Sequence, residues 1–249
     1  MPAHTLPAAS PLMLSVLLTT AQTPHAAAPT APIRVDCFGA LREIIHEGRL
    51  EPRAPIAVAL TRPHAYGLGA RARLDGEFII LDGRVYQTRP DRRGGIQPAA
   101  YDAVRDSATL LVMSHVAAWR DLRATKPITI RALQDTLAAR APALGLPAAG
   151  PFPFLVEGAV TGLRWHVADG RLLAPGPSSH EAHARAAVKG ASDAASARFL
   201  GFYSDHDQGV FTHHDVEVHL HALLDGGVAA HVDSLCVSAG AVLRLPVAR

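Results

Sequence analysis

Cysteine is nearly absent from this chain. Only Cys37 and Cys236 occur in 249 residues, with no CxxC pair, which excludes a thiolate zinc cluster. The two could close a disulfide in an exported protein; otherwise they read as small buried hydrophobes. Charge is also scarce. Lys and Arg number 24 against 22 Asp and Glu, a net of +2, too little to point to nucleic acid or another strongly anionic partner. No stretch reaches the ~20 apolar residues of a membrane helix. What remains is a globular composition, 49% hydrophobic with 20 Gly and 19 Pro, long enough for one large domain or two small ones sharing a core.

Residues 11–21 (PLMLSVLLTTA) form a short apolar run followed by small residues (AQTPHAAAPTAP). That pattern reads as a signal peptide cleaved around residues 21–28, although the preceding MPAHTLPAAS lacks Lys and Arg. The expectation is export, periplasmic or secreted. A cytoplasmic location follows if the segment is only an Ala/Pro leader. Residues 1–30 are therefore set apart from the fold.

Beyond the leader, alternation and turn chemistry mark the elements. Residues 33–37 read as a strand, and 38–48 as a helix that stops on Gly48. The run IAVAL (56–60) reads as a buried strand. EFIIL and RVYQTR, separated by Asp82-Gly83, read as a β-hairpin. Residues 108–117 follow as a buried strand, and Thr129 caps a helix with Ile130, Leu133 and Leu137 on one face. Strands are then expected at 154–160, 163–167, 197–204 and 216–224, with a short helix capped by Ser178 or Ser179. A turn at Asp225-Gly226-Gly227 leads into VAAHVDSLCVS. Strand pairs separated by single helices predict an α+β fold of mixed or antiparallel sheets, in two β-rich halves of about 31–125 and 126–249.

Histidine is what the chain has in surplus. Of 14, six (His206, His213, His214, His219, His221 and His231) fall in one late stretch. In a strand, His219 and His221 project to one face, because side chains alternate with period two. The DGG turn then returns the chain and brings His231 beside them. Three imidazoles converging from a hairpin leave a fourth position open, the plan of a catalytic zinc site; nickel, iron and copper suit imidazole too. His180 and His183, neighbours on a helix face, and the His213-His214 pair read as solvated positions.

Two stretches resemble alpha-acetolactate decarboxylase: YGLGARARLDGEFIILDGRVYQ (66–87) and GFYSDHDQGVFTHHDVEVHLHALLDGGVAAHVD (201–233). The family carries GLG, then LDGE and LDG, and later HxH followed by HVD, in this order and at similar spacing. The resemblance implies an acetolactate-decarboxylase-like fold. It also implies zinc on His219, His221 and His231, Glu77 at the active site, and a substrate-handling arginine for which Arg164 is the nearest candidate. Three departures stand out. Ala70-Arg71 replaces the Thr-Phe after GLG, Ala222 replaces an aromatic after HxH, and no acidic residue follows Asp233 where the family has a tail Glu.

The implied reaction is zinc-dependent loss of carbon dioxide from 2-acetolactate to give acetoin, by a lyase of acetoin biosynthesis. The metal would polarise the ketone and stabilise an enediolate, with Glu77 as proton donor. The alternatives are a zinc-binding homologue without that activity, or a zinc enzyme acting on another small keto acid. The expected partner is a small keto acid, with room for a homodimer and no role for nucleic acid or membrane.

Overall fold

A computed structural model of the chain describes residues 33–214 and 216–247; the expected leader lies outside the described residues. In chain order the elements are β1 (Val35–Phe38), α1 (Leu41–Glu47), β2 (Ala54–Pro55), β3 (Ala65–Ala70), β4 (Glu77–Leu81), β5 (Arg84–Pro90), β6 (Ile96–Ala99), β7 (Ser107–Ala108), β8 (Leu111–His115) and β9 (Trp119–Arg123). There follow β10 (Ile128–Thr129), α2 (Ile130–Arg140), β11 (Phe152–Ala168), α3 (His180–Arg185), β12 (Ala187–Tyr203), β13 (Val218–Leu224), β14 (Val228–Val237) and β15 (Val242–Pro246). They build two main antiparallel sheets. One has six strands in the order β1-β8-β3-β4-β5-β6. The other has seven, β10-β14-β13-β12-β11-β15-β9, with β14 also pairing to β11. The α+β, antiparallel expectation holds.

Local chemistry explains the ends of these elements. Asp82 and Gly83 both adopt positive φ (49° and 79°), as a two-residue turn with the right-handed twist of its strands requires. The Thr129 side chain accepts from the Ala132 N–H and caps α2, worth about 1 kcal/mol. Gly48 ends α1 in the left-handed region. Ser179, the second of the two expected caps, starts α3.

Some expectations fail for physical reasons. IAVAL is not a strand: residues Ile56–Thr61 form a 3-10 helix, bracketed by Pro55 and Pro63. Its three-residue period turns Ile56 and Ala59 into the core beneath Phe78 and Ile80. The two strands expected at 154–160 and 163–167 are one, because Gly162 takes φ 59° without ending the pairing with β12. β12 itself begins ten residues before the expected start, at Ala187, held there by its register with β11.

The sheets pack face to face. Tyr66, Leu68, Ile79, Leu81 and Val112 of the first meet Leu155, Leu200, Phe202, Leu223 and Ala229 of the second. Helix α2 covers the far face of the second sheet with Leu133 and Leu137. Alternation then decides which side chains enter the seam. On β4, Glu77 shares the face of Ile79 and Leu81. On β13, His219 and His221 share the face of Leu223. On β14, His231 shares the face of Ala229. Among the described residues no helix is long and apolar enough to cross a membrane.

Gly69 sits in β3 opposite Phe78 with φ 151°, and a Cβ built there would lie 1.9 Å from the Leu110 carbonyl oxygen. Gly69→Ala is expected to cost about 2–4 kcal/mol, read as a lower urea midpoint; an unchanged midpoint would contradict the close approach.

Both cysteines are free thiols, Cys37 on β1 and Cys236 on β14. Burial, aided by the charge of Asp207 and opposed by Arg42, pushes the Cys37 thiol up to about 12. A thiol raised in the folded state stabilises the fold below its unfolded pKa of about 8.5, and that contribution fades as pH climbs toward 12. At pH 8.5, alkylation of native Cys37, followed by peptide mass spectrometry, is expected to run at least ~100-fold slower than in denaturant. Equal rates would show an accessible thiolate.

Candidate metal centre

The sequence places His219 and His221 on one face of a strand, and the fold adds the third imidazole by register. His231 on β14 is the direct cross-strand partner of His221 on β13. The Nε2 of His219 lies 3.1 Å from Nε2 of His221 and 3.2 Å from Nδ1 of His231. A tetrahedral ion with metal–nitrogen bonds of about 2.0–2.1 Å needs its nitrogens roughly 3.3 Å apart, so the triad is already near that spacing. His219 and His221 are buried.

The electrostatics agree. Burial, with repulsion from neighbouring histidines, holds His219 and His231 well below the ordinary imidazole range and His221 at about 3. All three are neutral at physiological pH, with lone pairs available. His221 Nδ1 lies 3.0 Å from the Phe78 carbonyl oxygen. A carbonyl only accepts, so the proton is assigned to Nδ1 and the lone pair to Nε2, facing the triad. The Nδ1 of His219 is buried and lacks a partner at hydrogen-bond geometry, although the Phe211 carbonyl is near enough to favour a proton there.

Glu77 stands at the edge of the same cluster. Its Oε2 is 3.8 Å from His221 Nε2, and its Oε1 accepts from the Ala168 N–H at 3.3 Å. Burial pushes its carboxyl up to about 8, against the opposing pull of His166 and the Ala168 hydrogen bond.

Arg164 is not brought to this centre. Its side chain is exposed, donating to the Leu163 carbonyl at 3.0 Å and reaching Asp193 at 3.5 Å. The residue of β11 that arrives instead is His166, in register with His231 on one side and with Lys189 of β12 on the other. His221, His231 and His166 thus form a cross-strand row over three neighbouring strands. An irregularity between Arg164 and Trp165 in the β11–β14 pairing leaves Asp233 unpaired there, and its Oδ1 sits 2.7 Å from His166 Nδ1. The His166 ring lies against that of His231, centroids 4.6 Å apart. Burial opposes a charge on His166, but the bond and charge of Asp233 outweigh it and raise its pKa.

These groups line a cavity of about 410 Å³. One wall is apolar, with Ile44 and Ile45 of α1, Leu74 and Leu110. The other is polar, with Glu77, His166, Lys189, Asp233, His219 and His231. His180, His183 and His213, which the sequence reads as solvated, also line it. His183 is half-buried and 2.7 Å from Ser178 Oγ, and burial holds His213 at about 4. The pattern LRWHV, itself an expected strand, was the available signal for His166.

His166, His231 and Asp233 also lie close enough to share an ion. In that set, however, His166 Nδ1 is already bonded to Asp233. In the inner triad, nitrogens of His221 and His231 converge on Nε2 of His219, and no carboxylate lies between them.

The family model described as Alpha-acetolactate decarboxylase matches residues 43–242. The fold is similar to that of alpha-acetolactate decarboxylase from Bacillus subtilis strain 168, with TM-score 0.62 and 14% identity over 85% of each chain. Acetolactate decarboxylase from Bacillus subtilis subspecies spizizenii gives 0.64 and 15%, again over 85% of each chain. A Staphylococcus aureus protein described as of unknown function and similar to alpha-acetolactate decarboxylase gives 0.63 and 16%, over 85% of this chain and 84% of its own. At these identities the likeness is one of fold. Among curated proteins, none matches the chain by sequence.

His219→Ala removes one of three converging nitrogens. Elemental analysis is expected to show the variant binding about one equivalent of metal less than the wild type; equal metal in both would rule out the triad as ligands.

Proposed function

The chain belongs to the alpha-acetolactate decarboxylase family, and on that footing we propose that it converts 2-acetolactate to acetoin at a zinc ion held by His219, His221 and His231. Carboxy-lyase activity and metal dependence come with the family. The observation that carries the finer reading is the compact neutral triad with a buried carboxyl 3.8 Å from one of its nitrogens. Three imidazole ligands with space beside them suit zinc with an open position for substrate oxygens.

When bound, the ion supplies a Lewis acid that polarises the substrate ketone and stabilises the enediolate left as carbon dioxide departs. The remaining tasks fall to the chain. The bond to the carboxylate breaks, its electron pair moves toward the ketone, and one proton must reach the former carboxylate-bearing carbon to give acetoin. Glu77 holds that proton on Oε2, beside the triad, while the Ala168 N–H fixes the other oxygen. The substrate carboxylate needs a cationic partner. Lys189, next to His166 in register and on the polar wall, takes the place that Arg164 leaves open. Ile44, Ile45, Leu74 and Leu110 close the opposite side to water and accept the methyl groups.

A second reading is favoured by the exposed position of Arg164: another small keto acid, bound without an arginine, could be the substrate. Acetoin release from acetolactate by the purified, zinc-loaded chain separates the two. Zinc retention without acetoin moves the assignment to that second reading.

Glu77→Gln keeps the shape of the site and removes the proton donor. Metal content is expected to stay at the wild-type level while kcat falls about 10²–10⁴-fold. Full turnover in that variant would exclude Glu77 as donor.

A further inference from the structure

The cavity mouth carries a second group of histidines that the reaction does not use. His46 in the last turn of α1, His180 at the start of α3 and His214 in the loop before β13 come from three separate elements. All three are exposed, and their ring nitrogens lie within 4.8 Å of one another. The ring centroids of His46 and His180 are 5.7 Å apart, and those of His180 and His214 are 6.2 Å apart. No side-chain hydrogen bond holds any of the three among the described residues. Small rotamer changes therefore bring the nitrogens to coordination distance without breaking a contact.

We propose that His46, His180 and His214 form a second site, for a divalent transition-metal ion, on the approach to the inner triad, and that the inner site is loaded through it. The ligands are imidazole nitrogens, with no carboxylate among them, and Arg42 lies on the same recess. That combination disfavours calcium and magnesium, which need oxygen ligands, and selects zinc, nickel or copper. The inner triad shares no residue with the outer one, and two of its ligands, His219 and His231, line the cavity. His213 stands between the two sites, its ring 6.0 Å from His180 and 5.6 Å from His231. An ion held at the mouth thus has an imidazole halfway to its destination. The loading role rests on the inner triad being the resident metal centre; the outer site does not.

The test uses the full chain freed of metal by chelator, then dialysed against zinc and measured by elemental analysis. The double variant His46→Gln/His214→Gln alters only exposed side chains outside the catalytic cavity. Wild type is expected to take up a second equivalent of zinc beyond the first, the double variant to lose that second equivalent, and His221→Ala to keep it while losing the first. Equal uptake by wild type and the double variant overturns the outer site. Equal uptake by wild type and His221→Ala overturns the inner centre instead, so the two failures are told apart. Chelator-quenched time points give the filling rate of the inner site. Slower filling in the double variant supports loading through the outer triad, and an unchanged rate overturns it.

Discussion

Nitrogens of His221 and His231 lie 3.1 and 3.2 Å from Nε2 of His219, a crowding that imidazoles tolerate only uncharged and with a proton or a metal ion between their lone pairs. The rest of the site follows from that constraint. Neutrality requires burial, which the seam between two packed sheets provides. Fixed lone pairs require fixed tautomers, and the Phe78 carbonyl, on a strand of the opposite sheet, sets the one on His221. The candidate metal centre is therefore a property of the sheet packing as much as of the HxH strand. A shift of β4 against β13 would remove the acceptor for His221 and draw Glu77 away together, because Phe78 and Glu77 are consecutive.

Much of this was legible in the sequence because it is local. Period-two alternation puts His219 and His221 on one face, and the DGG turn returns His231 to them. The Asp82-Gly83 turn and the Thr129 cap are short-range signals whose geometry hardly depends on the rest of the chain. The rest was hidden because it depends on pairing between distant segments. Nothing local distinguishes His166 from Arg164, two residues apart on one strand. The β11–β14 register, with its irregularity at Asp233, decides which of them faces the triad. Lys189 lies in a small, polar stretch with no alternation to mark it as strand, and β11 alone gives it a place. IAVAL misleads for the opposite reason: its composition is that of a strand, but prolines on both sides and a three-residue spacing of its buried members select a 3-10 helix.

The exposure of Arg164 sharpens the question of how an anionic substrate is held. A carboxylate carried into a cavity with an apolar wall loses hydration and must gain a cation or hydrogen-bond donors in exchange. The polar wall offers these in one place. Lys189 is adjacent in register to His166, and Asp233 fixes the His166 ring through Nδ1. Because His166 also lies against His231, a group docked on that wall sits beside the triad and not across the cavity from it. The side chains of Ile44, Ile45, Leu74 and Leu110 offer no polar group to a carboxylate. Under the proposed reaction, a small keto acid would lie with its carboxylate on the β11–β12 wall, its oxygens toward the triad and its methyl groups on α1. In that orientation carbon dioxide, neutral and apolar, would lose its hold on the wall that bound its anionic parent, and Glu77 would be the carboxyl nearest the triad to return the proton.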